Sequence, residues 1–409
     1  MLCSIRLLQS EYKIKSLRRQ GFIHDDVCLA VADGKECVVI MRKALHISPN
    51  VYENILSAGG TRMIWEELAK NYDEYHILAR SKDMKCHTER AGKIVLHTIP
   101  NILNKTYPFF FTSYIYLKKL LRQEIFNIVI CQCSIFGGYS AVKLLKGNIP
   151  ILIEIHGFFY FKMMSSDKLV DKILTKIIRH SFENCTMIRS LNKSMTAALR
   201  ELGIKNNIQE VENRVNLQLF EGYKQDQIVD SEVKLISIGN FVESKGHRFA
   251  FDALRQLKDK YNISLVLISG GILKDTYKKI IKEYKIKVEL IDRVSQEELK
   301  DYLRKSNIYI HTSIREGMPR VILEAMAMKL PVISSKAGFI EGTIDDKRNG
   351  LLTEIGDVNG LVDDIEYLIN HEEERVRLTE NAYKDILERF EWNKCFDQYR
   401  ALLEKVENL

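Results

Sequence analysis

The chain has 409 residues, 46% of them hydrophobic and 28% charged, which is typical of roughly two to three globular domains. Its 6 prolines and 21 glycines exclude a collagen-like or proline-rich disordered protein, and its 8 cysteines, none in a Cys-x-x-Cys pair, indicate buried thiols in a reducing compartment. The net charge of +7 is uneven, because residues 1–214 carry 31 Lys and Arg against 20 Asp and Glu, while residues 215–409 carry 30 against 34. A basic first half suits an anionic membrane, a polyanion or a nucleic acid, although dispersed surface lysines explain the same numbers.

The start of the chain carries no evident targeting signal. Residues 1–35 form an extension of unclear role, and they lack the basic segment, apolar core and cleavage site of a signal peptide. The longest uncharged run spans residues 125–142, but Gly137, Gly138 and polar residues interrupt it. It therefore predicts a buried strand followed by a helix, and not a membrane span. We expect a soluble cytoplasmic protein.

Short, β-branched apolar runs alternate with longer amphipathic stretches from residue 36 onward. The predicted strands of the first half are Cys37–Met41, Tyr75–Arg80, Ile94–Ile99, Ile128–Cys133, Ile151–His156, Met187–Leu191 and Gln209–Glu212. Those of the second half are Lys234–Gly239, Ser264–Gly270, Val288–Ile291, Ile308–Thr312, Val332–Ser335 and Gly350–Thr353. Runs as continuously apolar as these predict strands buried on both faces, and therefore parallel sheets covered by helices.

The alternation of strands and helices occurs twice, which predicts an α/β protein with two doubly wound, Rossmann-like domains. We place the first domain at residues 36–214 and the second at residues 215–390, with the polar stretch Lys224–Glu232 leading into the second. Domains of this kind bind their ligands beyond the carboxyl ends of the parallel strands. Two of them facing each other form a cleft, and we expect the chemistry there.

The strongest candidate site follows the predicted strand Ile308–Thr312, in the sequence REGMPRVILE that runs from Arg315 to Glu324. Pro319 suits the first turn of a helix, and Gly317 lets the backbone approach a ligand. A carboxylate such as Glu316 accepts two hydrogen bonds side by side, which fits the vicinal hydroxyls of a sugar or a ribose. The helix N-terminus beside it favours an anion such as a diphosphate. The alternative is an ordinary amphipathic helix with a solvated Glu324.

A second candidate is the segment IGNFVESKGH, in which a predicted strand ends at Gly239 and a helix begins at Gly246. Lys245 is placed as a point charge for a phosphate at the opening of that helix. The segment is not a Walker A loop, and the chain contains no G-x-G-x-x-G fingerprint, which argues against a nicotinamide or flavin enzyme. It also contains no Asp-x-Asp and no cluster with metal-ligand spacing, so we expect no metal and no other cofactor.

Three weaker candidates also lie where strands end or helices begin. Gly338 follows the predicted strand Val332–Ser335 and would admit a phosphate to a helix start. His156 ends a strand of the first half and would point into the cleft, although a core or surface histidine fits the same position. Gly59 and Gly60 precede a helix and fit a backbone anion site as well as an ordinary turn.

Together these segments resemble the family-4 glycosyltransferases, which have the GT-B fold. Glu316 and Glu324, with seven residues between them, resemble the family's signature within REGMPRVILEAMAMKLPVI. The family's phosphate-binding strand and loop are similar to SIGNFVESKGH, and its segments on either side of the signature are similar to KVELIDRVSQEELKDYLRKSNIYIHTS and AGFIEGTIDDKRNGLLTEIGD. Its interdomain junction is similar to EVENRVNLQLF, and the final helix that completes its first domain is similar to FEWNKCFDQYRALLEKV, at about residues 391–409.

The resemblance implies transfer of a hexosyl-type sugar from a nucleoside-diphosphate-sugar donor to a glycan or lipid-linked acceptor, with retention of configuration and without a metal. It implies that Glu316 holds the donor sugar and that His156 lies beside it, as the catalytic residues. The donor-binding residues that it implies are Lys245 at the diphosphate, Glu324 at the ribose, and Gly317, Met318, Gly338, Gly239, Asn240 and Arg293. Gly59 and Gly60 match the glycine loop that faces the cleft, at the acceptor or phosphate.

The chain departs from the family in three places. Asn240 stands where the family usually has arginine, and Arg320 or Arg293 is the candidate to replace that phosphate contact. The junction reads Asn213-Arg214 where the family usually has Asn-Gly, and residues 1–35 are additional. The alternatives are a nucleotide-sugar epimerase or phosphorylase of the same fold and a non-catalytic sugar-nucleotide-binding relative. A nucleic-acid-binding protein is disfavoured because the recognised motifs are absent from the sequence.

Two aromatic clusters lie in the basic first half. The first spans Tyr107–Phe111 and is followed by Lys118, Lys119 and Arg122, and the second spans Phe158–Met164. Aromatic rings beside lysine and arginine suit a membrane interface with anionic lipid, whereas most aromatic residues of a globular chain are buried. The first interpretation predicts peripheral association with the inner face of the membrane, and the second predicts a core or cleft lining.

Overall fold

The computed structural model describes residues 41–220 and 232–409, together with the backbone of two short strands at 28–32 and 35–39. The strands are β1 (Cys28–Ala32), β2 (Lys35–Val39), β3 (Lys43–Tyr52), β4 (Glu74–Ser81), β5 (His87–Ala91), β6 (Ile94–Ile99), β7 (Ile128–Cys131), β8 (Ile151–Glu154), β9 (Met187–Ser190), β10 (Ile208–Glu210), β11 (Val233–Ile238), β12 (Ile263–Ile268), β13 (Lys287–Ile291), β14 (Ile308–His311), β15 (Val332–Ser335) and β16 (Leu351–Thr353). The helices are α1 (Gly60–Ala69), α2 (Phe109–Leu120), α3 (Tyr139–Leu145), α4 (Phe159–Met164), α5 (Leu169–Asn184), α6 (Lys193–Glu201), α7 (Leu217–Phe220), α8 (His247–Leu257), α9 (Lys274–Tyr284), α10 (Gln296–Arg304), α11 (Arg320–Ala327), α12 (Val358–Asn370), α13 (Glu372–Asp385) and α14 (Trp392–Glu407). None of these described helices combines the length and the apolar character needed to cross a bilayer.

The larger sheet has eight strands in the order β10-β9-β8-β7-β3-β4-β6-β5, parallel throughout except for the edge strand β5. The predicted strands include neither β5 nor the central strand β3. The apolar run of β3 is interrupted by His46, Ser48, Pro49 and Asn50, although His46 and Ser48 are buried in the structure. β5 is short, polar and mostly exposed, as an edge strand tends to be.

The smaller sheet has six parallel strands in the order β13-β12-β11-β14-β15-β16. The predicted strands of the second half are confirmed to within two residues at each end. Their apolar runs are uninterrupted because both faces of a parallel sheet are covered by helices. The predicted α/β architecture of two doubly wound parallel sheets is confirmed.

The predicted strand Cys37–Met41 overlaps an observed strand, but its predicted place in the parallel sheet is wrong. Residues Lys35–Val39 form β2, which pairs antiparallel with β1 in a separate two-stranded sheet, and the large sheet begins at β3. A short apolar run does not by itself distinguish a hairpin strand from a core strand. Residues 1–27 of the predicted extension and almost all of the predicted polar stretch Lys224–Glu232 lie outside the described residues.

The C-terminal helix α14 packs against the large sheet, although the smaller sheet precedes it in the sequence. Its buried residues, Phe396 and Leu403 among them, belong to the same core as Trp65 of α1. Near the end of the helix, Glu407 Oε2 forms an ion pair with Arg42 Nη2 at 2.8 Å. The chain therefore returns to the first half after completing the second sheet.

Direct contacts join the two halves of the molecule next to the carboxyl ends of their strands. Asn213 Nδ2 donates a hydrogen bond to the Met318 carbonyl oxygen at 2.6 Å. Asn192 Nδ2 donates to the Phe339 carbonyl oxygen at 2.9 Å, and the ring of Phe339 lies 4.6 Å from that of Phe161 between centroids. The carboxyl ends of the two sheets therefore face each other, as predicted.

Candidate active site

The cleft between the two sheets holds a cavity of about 670 Å³. It lies beyond the carboxyl ends of the parallel strands, where doubly wound domains bind their ligands. The lining includes His46, Thr61, Gln132, Glu154, His156, Arg189 and Arg214 from the first half, and Gly239, Asn240, Lys245, Arg293, Glu316, Gly317, Met318, Arg320 and Glu324 from the second. The structure thus brings most of the predicted site residues into one cavity, and Gly59, Gly60 and Gly338 lie outside its lining.

Glu316 is held by three donors on one carboxylate oxygen. Its Oε1 accepts hydrogen bonds from Ser313 Oγ at 2.6 Å, from His311 Nε2 at 3.0 Å and from Lys245 Nζ. Burial opposes ionisation, but the hydrogen bond and charge of His311 and the charge of Lys245 lower the pKa of Glu316 to about 2. Glu316 is therefore ionised at neutral pH, and its Oε2, which has no hydrogen-bond partner among the described residues, is free to accept from a ligand.

Two glycines shape the backbone around Glu316. Gly338 has a φ of +66°, and a Cβ there would overlap the Glu316 carbonyl oxygen. A Cβ at Gly317 would overlap the carbonyl oxygen of His156, which belongs to the other half of the molecule. The close approach predicted at Gly317 is therefore made by protein backbone. The backbone of Gly338 packs against the backbone of Glu316.

Glu324 carries a buried carboxylate oxygen with no partner. The residue lies in α11 and is 9% exposed, and its Oε2 has no hydrogen-bond partner among the residues that the structure describes. Burial raises the pKa of Glu324 above its ordinary value, and the charge of Arg320 opposes that shift. Glu324 is therefore not the solvated glutamate of an ordinary amphipathic helix. Because an unsatisfied buried acceptor is destabilising, it indicates a ligand that donates hydrogen bonds.

Lys245 is brought to the Glu316 loop by the turn that precedes α8. Gly246 follows it in the left-handed conformation with a φ of +60°, and a Cβ there would overlap the Thr312 carbonyl oxygen. Only glycine permits this close passage of the two loops. The ammonium group of Lys245 consequently pairs with Glu316 while still bordering the cavity.

Three further polar side chains border the second-half wall. Asn240 follows Gly239 at the end of β11, and its Oδ1 accepts from Ser269 Oγ at 2.9 Å. Arg293 and Arg320 line the cavity and are exposed, and neither forms an ion pair with another described residue. Both guanidinium groups are therefore available to an anion in the cleft.

His156 is oriented by a buried carboxylate. Its Nε2 lies 3.2 Å from Glu154 Oε2, and its side chain is 40% exposed. Glu154 Oε1 accepts from Arg189 Nη1 and from Tyr399 Oη, both at 2.6 Å. Burial opposes ionisation, but the charges of His156 and Arg189 hold the pKa of Glu154 well below its ordinary value. The ionised Glu154 thus fixes the His156 ring at the cleft.

Two residues of the cleft floor, His46 and Arg214, have no predicted role. His46 in β3 is 2% exposed with an unpartnered Nε2, and burial lowers its pKa to about 4. Arg214 is 7% exposed with an unpartnered Nε, its guanidinium carbon lies 4.0 Å from the Phe396 ring centroid, and burial lowers its pKa to about 10. Two features of the sequence could have indicated these residues. His46 is a polar residue between apolar neighbours, and Arg214 is the unusual arginine at the interdomain junction.

The predicted glycine loop lies beside the cavity. Gly59 has a φ of +54° and precedes α1, and a Cβ at Gly60 would lie 3.1 Å from Gln296 Nε2 of the second half. Thr61, the next residue, borders the cavity. The loop therefore contributes to the contact between the two halves.

One group of side chains among the described residues has the spacing of metal ligands, namely Glu74, His76 and Glu124. Lys43 Nζ lies 3.0 Å from Glu74 Oε2 and 2.5 Å from Glu124 Oε2, and Arg90 Nη1 lies 2.6 Å from Glu74 Oε1. These cations neutralise the carboxylates. Because Glu74 begins β4, the group lies at the opposite end of the strands from the cleft.

Two family models match the chain in succession. Residues 61–219 match the model described as Glycosyltransferase Family 4, and residues 221–385 match the one described as Glycosyl transferases group 1. The chain is 27% identical to an uncharacterized glycosyltransferase of Methanocaldococcus jannaschii, over 88% of this chain and 98% of the relative. It is 26% identical to N-acetyl-alpha-D-glucosaminyl L-malate synthase of Bacillus anthracis, over 66% of this chain and 71% of the relative.

Solved structures share the arrangement of the two sheets. Sucrose-phosphate synthase from Thermosynechococcus elongatus superposes with a TM-score of 0.77 at 19% identity, over 89% of this chain and 99% of that one. Anabaena HepE, solved in complex with UDP-glucose, superposes with a TM-score of 0.68 at 15% identity, over 90% of this chain and all of that one. These similarities confirm the predicted GT-B type of fold.

We expect Glu324→Gln to raise the thermal stability of the ligand-free protein at about pH 7 by a few degrees. Because the folded-state pKa of Glu324 is raised, its contribution to stability is fully present below the unfolded pKa of about 4.3 and is lost as the pH rises through the folded pKa. The difference between variant and wild type, followed by differential scanning calorimetry, therefore vanishes at about pH 4. Glu283→Gln, on the exposed side of α9, is the control and should change neither the melting temperature nor its dependence on pH. A variant that melts below the wild type at neutral pH would contradict the prediction.

Proposed function

Because this chain belongs to glycosyltransferase family 4, we propose that it transfers a hexosyl-type sugar from a nucleoside-diphosphate-sugar donor to a glycan or lipid-linked acceptor. The observation that carries the proposal is the unpartnered buried oxygen of Glu324, on the wall of the cavity that also holds Lys245 and Glu316. Such a donor contains a ribose diol, a diphosphate and a sugar, and each of these three residues suits one of these groups.

In this proposal, the donor lies along the second-half wall of the cleft. Glu324 accepts hydrogen bonds from the ribose hydroxyls, which satisfies its buried oxygen. The diphosphate lies between Lys245 and the N-terminus of α11, where ammonium and helix dipole both favour negative charge. Arg293 and Arg320 supply the positive charge that Asn240 lacks. The UDP-glucose bound by Anabaena HepE, a protein of the same fold, supports a donor of this class.

Transfer then proceeds between Glu316 and His156. Glu316 accepts a sugar hydroxyl at its free Oε2, and His156 holds the sugar from the opposite wall. The bond from the anomeric carbon to the diphosphate oxygen breaks, the acceptor oxygen bonds to the same face of that carbon, and the acceptor proton passes to the departing phosphate. Glu154 Oε1 is bound to Arg189 and Tyr399 and its Oε2 lies beside His156, so the described residues of that wall present no free carboxylate as a nucleophile, and we infer retention by front-face attack.

Lys245→Ala tests the donor site. Hydrogen bonds to charged groups contribute enough that we expect roughly 10- to 100-fold weaker binding of UDP or GDP, with little change for the nucleosides. Isothermal titration calorimetry measures both affinities. Lys279→Ala, an exposed lysine of α9, is the matched control and should bind as the wild type does. Equal losses for nucleoside and nucleoside diphosphate would refute the assignment of Lys245 to the phosphates.

We also propose that the reaction needs no metal ion, because Lys245, the two arginines and the helix N-terminus together stabilise the leaving diphosphate. Transfer, or hydrolysis of the donor, should continue in excess EDTA at the untreated rate. The assay follows release of nucleoside diphosphate from UDP- and GDP-sugars. Activity that EDTA abolishes and Mg²⁺ or Mn²⁺ restores would refute this part of the mechanism.

We further propose that one face of the first half meets the cytoplasmic leaflet of the membrane. Phe111 and Ile115 lie four residues apart on α2 and are 69% and 61% exposed, and Tyr107, just before the helix, is 74% exposed. Leu169, Val170 and Ile173 at the start of α5 are exposed as well. The second aromatic cluster differs, because Tyr160 and Phe161 are buried in the core. The exposed residues have lysines beside them on both helices, a combination that suits anionic lipid.

Sedimentation with liposomes tests the membrane proposal. The protein should pellet with anionic vesicles at low salt, less at high salt, and less after reversal of Lys118, Lys119 and Arg122 to glutamate, because the attraction is electrostatic. Reversal of three basic residues of α9, Lys278, Lys279 and Lys282, is the matched control and should leave pelleting unchanged. Absence of pelleting at low salt, or an equal effect of both triple variants, would contradict the proposal.

A further inference from the structure

A second cavity, of about 870 Å³, opens in the first half of the molecule between α2 and α5. Its lining is mostly apolar, with Phe110 and Phe111 on the side of α2 and Leu174 and Ile177 on the side of α5. We refer to it as the apolar groove. Its volume falls within the range of about 300–1,000 Å³ that is usual for small-molecule sites.

The apolar groove has a closed floor and an open rim. Ile135 and Cys133 form part of the floor and are 1% and 4% exposed. Tyr107 and Phe111 stand on the rim and are largely exposed, among the residues that we propose to meet the membrane. An apolar slot with such a rim suits a chain that enters from a lipid phase, because chain and rim then leave water together.

The apolar groove adjoins the donor cleft. Pro49 and Gln132 line both cavities, so the groove and the cleft adjoin at these two residues. Gln132 is fixed at this point, since its Oε1 accepts from Ser48 Oγ at 2.6 Å. A ligand that occupies the groove therefore has its inner end beside the cleft that His156 lines.

A cation without a carboxylate partner stands where the groove meets the cleft. Arg80 Nε donates to the Pro49 carbonyl oxygen at 2.6 Å and Arg80 Nη1 to Asn101 Oδ1 at 3.3 Å, and the half-buried Arg80 forms no ion pair with any described residue. Lys105 lies on the groove as well, exposed and similarly without an ion pair. A partly desolvated guanidinium bound only to neutral acceptors favours an anionic ligand, and its planar fork suits a phosphate.

We infer that the apolar groove binds the hydrocarbon chain of a lipid acceptor, with the lipid's phosphate at Arg80 and Lys105 and its sugar or hydroxyl end in the cleft. The inference rests on the proposed function and chooses the lipid-linked class among its acceptors. The order of the parts follows from the geometry, since Arg80 touches Pro49, which both cavities share. The groove binds the hydrocarbon chain and Arg80 binds the phosphate. The residues that both cavities share place the acceptor end of the lipid beside the donor.

Calorimetric titration with farnesyl phosphate, below its micelle concentration and without vesicles, tests the inference. Farnesyl phosphate should bind, farnesol should bind about tenfold more weakly, and inorganic phosphate should give no measurable binding, because chain and phosphate each contribute. Phe111→Asp should weaken farnesyl phosphate about tenfold or more, since it places a charge on the groove wall. Ile115→Asp, one turn along α2 and outside the groove lining, is the matched control and should bind normally.

Arg80→Gln should reduce the preference for farnesyl phosphate over farnesol, and Arg80→Lys should keep it, because the preference depends on the positive charge. Phe111 is 69% exposed, so its replacement leaves the folded core intact. Equal affinity of Phe111→Asp and Ile115→Asp, or of the phosphate and the alcohol for wild type, would overturn the inference. UDP and GDP are titrated into the same samples: a protein that binds neither nucleotide nor lipid refutes the proposed function, and one that binds nucleotide alone refutes only the groove assignment.

Discussion

The backbone contact between Gly317 and His156 fixes the geometry on which the cleft depends. A side chain at position 317 would overlap the His156 carbonyl oxygen, so the two halves reach this separation only with glycine. Asn213 reinforces the contact by donating to the neighbouring Met318 carbonyl at 2.6 Å. Because Glu316 and His156 both flank this contact, the same packing that closes the two halves also sets the distance between the residues that we propose to hold the donor sugar.

Burial would raise the pKa of each carboxylate in the cleft. The hydrogen-bond donors and charges beside each carboxylate decide whether it is ionised. Glu154 is ionised and has its partners within the protein, whereas Glu316 is ionised and keeps one oxygen free. Glu324 has an orphaned oxygen, and its pKa is raised. The destabilising effect of burial is thus left uncompensated at Glu324, where a ligand can supply the missing hydrogen bonds. Such local conflicts with stability are expected at functional sites.

The sequence predicted the parts of the structure that depend on local pattern. The strands of the second half are predictable because their apolar runs are continuous. Lys245 and Glu316 stand out because strand-to-helix loops carry them, and Glu324 stands out because it lies in the helix that follows such a loop. Contacts between distant segments have no such pattern. Tyr399 reaches Glu154 across 245 positions of the sequence, and neither residue's neighbours indicate the other. The reason for glycine at position 317 was likewise hidden, because its neighbour in space is the backbone of the other half.

Strand β3 shows why a central strand of the large sheet is missing from the predicted strands. Its central position in the sheet calls for a continuous apolar run. His46 interrupts that run, however, and the three consecutive positions Ser48, Pro49 and Asn50 are polar or proline. Its pairing with β4 shifts register between Ile47 and Val51, at the end where the strand borders both cavities. His46 lies on the cleft floor, and Pro49 forms the edge that cleft and groove share. Three of the four residues that obscure the strand in the sequence, His46, Pro49 and Asn50, therefore border the cavities, whereas a strand that served only the core could have kept its apolar pattern.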